Sequence, residues 1–334
     1  MRGVAQRGAA LLGAMLTVAL VASLASAAMW LQWRQVEIEM AERGRSQSQW
    51  LMVGAFDWTR LILAEDARSA QGADHLGEPW ALPVQESKLS TFLSQDKQWR
   101  EGDPEVFLSG QITDAQSKLN LASLVENGQV APAALAAWTR LFERLNLPMG
   151  ELQALALLWP QALQAQTPAG SQGTTEATSG MQTPLLPQRL EQLTWLGLSP
   201  QSVAQLRPYA TVLPTATPVN LNTASAQVLE AVVPGLDAGA ARALVERRSR
   251  QPWNSLQQAA EAMGPAGRLL NERQHSVGSR FFEIQGRLRI EQQVRDEWAL
   301  VERNGTQVRM LWRVRATAPL AAPVGQMGSL QSPS

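Results

Sequence analysis

From Gly8 to Trp33 the chain reads GAALLGAMLTVALVASLASAAMWLQW and carries no charged side chain. No other stretch restricts the fold as much. At about 1.5 Å per helical residue, a run of this length crosses a hydrocarbon core about 30 Å thick. Arg2 and Arg7 stand before it, whereas Glu37, Glu39 and Glu42 crowd its other end beside Arg34. By the positive-inside rule, the N-terminus lies in the cytoplasm and the bulk of the chain on the far side of the membrane. Trp30 and Trp33 fall where an interfacial aromatic belt is expected. The membrane-spanning part is set at residues 9–32.

Two kinds of leader fit the basic start. A secretory signal is cut after its apolar run, and Ala25-Ser26-Ala27 offers small residues there. A prepilin-type leader is cut on the cytoplasmic side, here between Gly8 and Ala9, so that residues 1–8 are removed. The chain beyond the apolar run favours the second reading over the first and over a plain signal anchor. No proline occurs before Pro79, and helix-forming sequence continues to about Arg68, so one long helix over 9–70 is predicted. Leu51, Ala55, Trp58 and Ile62 recur at helical spacing, with Met52, Phe56 and Leu63 on an adjoining stripe. That half of the helix is expected to pack on a soluble domain.

Composition narrows the chemistry. The 334 residues hold 29 basic and 29 acidic side chains, which gives no global electrostatic case for a nucleic-acid partner. Cysteine is absent, so disulfides, thiolate metal sites and cysteine nucleophiles are excluded. His75 and His275 are the only histidines, and neither has a partner at metal-ligand spacing. His75 reads as a solvated loop residue. There is no phosphate-binding loop and no nucleophile elbow. The sequence therefore predicts a protein that is not an enzyme.

Beyond the helix, Gly72, Gly77, Pro79 and Pro83 break the chain into a loop around Trp80. Val106 to Thr113 alternates as a strand, with Val106, Leu108 and Ile112 facing one way, and Asp114 to Ser117 turns. This first sheet part covers 71–120. Helical signals then run in series over 121–279, with Pro132 and Pro148 suited to first-turn positions. Thr167 to Thr183 reads as a flexible surface loop. Three strands close the chain over 280–316: Phe282, Ile284, Leu288 and Ile290 alternate with polar residues, Trp298 and Leu300 share a side, and Met310 and Trp312 point inward. Asn304-Gly305 is the expected turn of the last hairpin. Residues 317–334 are small and polar, a disordered tail.

Asn220 to Arg248, NLNTASAQVLEAVVPGLDAGAARALVERR, resembles a helix-hairpin-helix, with Asn222 or Thr223 capping one helix and Pro234-Gly235 turning into a second from Ala238. Such a hairpin can hold a DNA phosphate on its backbone amides. Here Asp237 follows Gly235-Leu236 and puts a carboxylate where the phosphate would approach. Arg242, Arg247, Arg248 and Arg250 come after it, offset by Glu230 and Glu246. A membrane-anchored DNA-binding protein is the alternative this motif keeps open.

The leader ending in Arg7-Gly8, the uninterrupted helix, the EPWALP loop and GQITDAQSKLNLASL together resemble the minor pseudopilin K family of type II secretion systems. Ile112, Asp114, Asn120 and Leu121 form its most distinctive internal element. The resemblance implies an α+β fold in which a pilin-like long N-terminal helix packs on an antiparallel sheet, with a large all-α insertion of sterile-alpha-motif-like kind. It implies cleavage by prepilin peptidase between Gly8 and Ala9, N-methylation of Ala9, and anchorage in inner-membrane lipid as a single-pass protein with a periplasmic C-terminal domain. The function implied is that of a structural subunit at the tip of the secretion pseudopilus, joined to minor pseudopilins I and J, and H, with no nucleic acid. After that cleavage Gly13 is the fifth residue, where shaft subunits carry glutamate; its absence marks the tip position. Members of the family also bind calcium. Glu101, Asp103, Glu105, Asp114, Asp296 and Glu297 are candidate carboxylates, with no ligand assigned among them.

Overall fold

The computed structural model describes residues 7–69, 72–89, 105–166, 184–290 and 293–316. The loop expected at Thr167 to Thr183, the tail at 317–334, and the candidates Glu101 and Asp103 lie outside these residues. Helix α1 runs from Arg7 to Ser69 without a break, as the absence of proline and of turn clusters in that span requires. The chain divides into two compact units, Met1–Ala55 and Phe56–Ser334.

The first unit is the helix up to Ala55. Its apolar side chains, Leu12, Leu16, Val18 and Leu20 among them, are more than half exposed and have no protein cover. This is the one helix among the described residues that is long and apolar enough to cross a membrane.

The second unit is built on five antiparallel strands whose spatial order is their chain order: β1 Val84–Lys88, β2 Val106–Asp114, β3 Phe281–Ile290, β4 Gln293–Asn304 and β5 Gln307–Arg315. Cross-strand registers put Ile112, Ile284 and Ala299 on one face, beside Leu108 and Leu288. Phe56 and Leu63 of α1 are buried, and the Arg313 guanidinium lies 4.9 Å from the Phe56 ring centre. The inward stripe thus passes through Phe56, Leu63 and Asp66, whereas Trp58, expected to be covered, is 44% exposed. Residues 56, 63 and 66 are spaced seven and three apart, one face of a 3.6-residue helix, and Trp58 lies off that face.

The last hairpin departs from expectation twice. Asn304 pairs with Gln307, so the two-residue loop is Gly305-Thr306 rather than Asn304-Gly305. Gly305 has φ +57°, the positive value that a first loop residue needs in such a turn. A bulge also shifts the register, pairing Leu300 with Trp312 but Val301 with Met310. One extra residue flips the side chains beyond it, so Met310 and Trp312 face opposite sides of the sheet.

Between β2 and β3 the chain makes a helical unit with a continuous core. Its helices are α2 Pro132–Arg144, α3 Met149–Gln166, α4 Pro200–Leu206, α5 Ala226–Val232, α6 Ala238–Arg250 and α7 Leu256–Met263. Trp138, Leu141, Phe142, Leu155, Trp159 and Leu229 are at most 2% exposed within it. Burial of several large apolar side chains, each worth about 1.5–3 kcal/mol, explains why this segment is helical despite its many breaks. The first helix of the hairpin is capped by Ser225, whose hydroxyl accepts from the Val228 amide. Asn222 and Thr223, the expected caps, are used elsewhere.

Candidate functional site

The distinctive sequence element Ile112–Leu121 turns from sheet to helical unit, and its polar residues become the joint between them. Asp114 ends β2 and is 1% exposed. One of its carboxylate oxygens accepts the Gln116 amide at 2.7 Å, which bends the chain into a single 3-10 turn. The other accepts from Thr223 Oγ1 at 2.6 Å, Ser279 Oγ at 2.7 Å and Asn220 Nδ2 at 3.0 Å. Thr223 and Asn220 belong to the helical unit, and Ser279 precedes β3. A single carboxylate therefore ties three segments distant in sequence.

Asn120 repeats the device at the other end of the element. Its Nδ2 donates to Thr215 O at 2.8 Å and Thr217 Oγ1 at 3.0 Å, while Oδ1 accepts the Ala122 and Leu213 amides. Ile112 and Leu121 are the apolar flanks of these two polar anchors, both buried.

The second half of the joint lies against the end of α1. Arg303, on β4 and 8% exposed, donates to Asp66 Oδ2 at 2.7 Å, to Asp74 and to the Ser279 carbonyl at 3.0 Å. Asp74 Oδ2 accepts the Ser279 amide at 2.6 Å. Glu78 Oε2 accepts the His75 amide at 2.8 Å and Trp80 Nε1 at 2.7 Å. That pair of bonds fixes the EPWALP loop and sets Trp80 edge-on against Phe282, ring centres 5.2 Å apart. The Arg303 guanidinium sits 4.7 Å from the same Phe282 ring. A crevice of about 470 Å³ opens beside these groups, bordered by Asp74, Gln116, Ser279 and Arg303.

Burial dominates the electrostatics here. It raises the Asp114 carboxyl from 3.8 to about 6, against the lowering effect of its hydrogen bonds from Ser279, Thr223 and Gln116. Asp66 is also raised to about 6, by burial and by the nearby Glu78 charge, while Arg303 pulls it down. His275 is buried and held below its usual value, with ring nitrogens 3.2 Å from the Asn271 and Val232 carbonyls.

Among the described residues, the expected calcium carboxylates are engaged by other partners. Calcium takes six to eight oxygens. Asp114 is filled by four donors, Asp296 is held by Arg287 at 2.7 and 3.1 Å, and Glu297 lies between Arg295 and Arg313. Glu105 pairs with Lys88. Asp66, Asp74 and Glu78, which the sequence did not single out, do bring oxygens within 4.8 Å of one another, but Arg303 already occupies the cluster.

The hairpin at Asn220–Arg248 is equally committed. The Asp237 side chain accepts the Ala240 amide at 2.8 Å, so the helix N-terminus a phosphate would use already carries a carboxylate. Arg248 is 5% exposed and donates to the Leu221 and Ala224 carbonyls; burial lowers its pKa to about 10. Asn222 closes the same loop, exchanging hydrogen bonds with the Trp253 backbone at 2.8 and 3.0 Å. Of the basic residues of α6 this leaves Arg242, Arg247 and Arg250 exposed, with Glu246 exposed among them. Gly8 and Ala9 lie in the first turn of α1, and Gly13 lies on its open surface.

Comparison with known proteins places the helical unit in two adjoining family models, both described as type II secretion system protein K, over residues 117–215 and 219–278. Type II secretion system protein K of Pseudomonas aeruginosa is 26% identical over 84% of this chain and 83% of its own length. That of Pectobacterium carotovorum is 24% identical over 92% and 96%, and that of Klebsiella pneumoniae 29% over 75% and 78%. The fold resembles a chain of the GspK-GspI-GspJ complex from enterotoxigenic Escherichia coli, with a TM-score of 0.61 and 18% identity over 83% of this chain and 99% of that one. The chain is thus similar to type II secretion system protein K in its helical unit and over most of its length.

Proposed function

We propose that this protein is the minor pseudopilin that caps the tip of a type II secretion pseudopilus. It is a structural subunit and not an enzyme: the Ser279 and Thr223 hydroxyls beside the Asp114 carboxylate are buried in the joint and hold segments together. The observation that carries the reading is the match of its helical unit to protein K models, combined with a fold likeness over 83% of the chain. The apolar part of α1 anchors it in the inner membrane, with the C-terminal domain in the periplasm. Prepilin peptidase cuts between Gly8 and Ala9, and Ala9 is then N-methylated. Its partners are the minor pseudopilins I and J, the subunits with which the similar E. coli protein was crystallised, and H in the longer assembly.

Gly13 supports a terminal place. In a bundle of parallel helices each terminal amine enters an apolar seam, where an unpaired charge costs several kcal/mol even after relaxation. A chain with Gly13 offers no carboxylate to a neighbouring amine. The helical unit adds bulk that opposes stacking of a further subunit. A Cβ added at Gly13 meets no atom within 4 Å, so Gly13→Glu tests the position without disturbing the fold.

The test is co-purification of the full-length chain in detergent with pseudopilins I and J. A complex with I and J, and no polymer of this chain alone, is the expected result. Filaments formed by this chain alone defeat the tip assignment. Gly13→Glu found along the pseudopilus shaft shows that the missing carboxylate, rather than the bulk of the helical unit, sets the position.

A further inference from the structure

Three carboxylate oxygens within 4.8 Å of one another, from Asp66, Asp74 and Glu78, form the spacing that ligands have around a divalent ion at 2.3–2.6 Å. A fourth oxygen, the Ser279 carbonyl, accepts from the same guanidinium that serves the carboxylates, Arg303 Nη2, at 3.0 Å. Arg303 Nη1 bonds Asp66 at 2.7 Å, and Nη2 bonds Asp74. The phenyl ring of Phe282 lies under the guanidinium carbon at 4.7 Å. An ion ligated by these oxygens and the guanidinium cannot share this space, since both are cations that draw on Asp66 and Asp74 and repel each other.

We infer that Arg303 is the resident cation of this joint, standing where a divalent metal would otherwise be ligated by Asp66, Asp74, Glu78 and the Ser279 carbonyl, so that the joint closes without metal. Two consequences separate this from an ordinary buried ion pair. Closure does not respond to calcium in the native chain. Removal of the guanidinium turns the cluster into a divalent-cation site, because three gathered carboxylates then lack any counter-charge.

Terbium is the probe, since Trp80 Nε1 sits 2.7 Å from Glu78 and its indole can sensitise a lanthanide held there. The full-length chain in detergent is titrated with terbium and with calcium. For the native chain, any sensitised emission should be unchanged by Glu78→Gln, and the melting midpoint should be the same in calcium and in chelator when compared between native and Glu78→Gln chains. Arg303→Met should gain emission that calcium displaces and that Glu78→Gln abolishes. Arg303→Lys, which keeps the charge, should gain none. If Arg303→Met folds poorly, calcium should raise its melting midpoint but not that of Arg303→Met/Glu78→Gln. Emission from the native chain that Glu78→Gln removes overturns the inference, and so does an Arg303→Met chain that neither binds terbium nor is rescued by calcium.

Discussion

Replacing Asp114 with alanine removes one carboxylate and four hydrogen bonds at once, and the structure sets the size of the effect. The Gln116 amide, the Thr223 and Ser279 hydroxyls and the Asn220 amide all point at it, at 2.6 to 3.0 Å in a site 1% exposed. A buried donor left unpaired costs about 1–3 kcal/mol. Asn220 also reaches the Asp74 carbonyl at 3.1 Å, and hydroxyls can turn, so the four losses are not all complete. Together they come to roughly 5–8 kcal/mol. Against this stands the relief of burying a carboxyl raised from 3.8 to about 6, worth roughly 3 kcal/mol. The net expectation is a loss of about 2–5 kcal/mol. Urea unfolding followed by tryptophan fluorescence measures it, and amide exchange at Gln116 reports whether the damage begins at the joint. The control is Asp57→Ala, which breaks an exposed pair with Arg60 and should cost under about 0.5 kcal/mol. If Asp114→Ala costs no more than the control, the joint is not what holds helical unit to sheet.

Particular contacts elsewhere carry their own expected outcomes. Arg248→Met leaves the Leu221 and Ala224 carbonyls without their donor and should lower stability by about 2–4 kcal/mol, whereas the exposed neighbour Arg247→Met should be silent in the same thermal melt. Gly110→Ala places a Cβ 2.5 Å from the Gln285 carbonyl, so β2 and β3 must part, at a cost of about 1–3 kcal/mol in urea unfolding. The pH dependence is opposite to the usual one. Asp66 and Asp114, raised to about 6, contribute stability that is full below their unfolded value of 3.8 and is lost as pH rises through 6. His275, lowered by burial, contributes stability present above 6.5 that is lost as pH falls. The two carboxyls add stability as pH falls from about 6 toward about 4, and His275 works against them below 6.5. Asp114→Asn should reduce the acid-side gain, measured as urea midpoints across this range.

How much of the fold is legible in the sequence depends on how local its cause is. The long helix, the alternation of Phe282 through Ile290 and the first-turn prolines come from periodicity and backbone chemistry within a few residues. The Ile112–Leu121 element stands out by resemblance, but its purpose does not, because Asp114 meets Asn220, Thr223 and Ser279 at separations of 106, 109 and 165 residues. No local pattern announces such partners. By sequence Arg248 belongs with the exposed basic residues of its helix, and only the packing shows it turned inward onto carbonyls. Trp58 is the larger ring, yet the smaller Phe56 occupies the buried stripe. A single-residue bulge beside Val301 reverses the side chains of the last strand, an event that alternation alone cannot locate. The Asp66–Asp74–Glu78 cluster gives one usable signal, a run of acids about a helix end, but its cation comes from Arg303 far along the chain.

The claim on which the rest depends is that this chain enters the membrane as a pseudopilin, and the mass of its mature N-terminal peptide tests that most directly. Processing in cells that carry prepilin peptidase should give a chain that starts at Ala9 with one added methyl group, and Gly8→Leu should retain residues 1–8. A mature start near Ala28, after the small residues Ala25-Ser26-Ala27, would contradict the account, because α1 would then lose its membrane-spanning part.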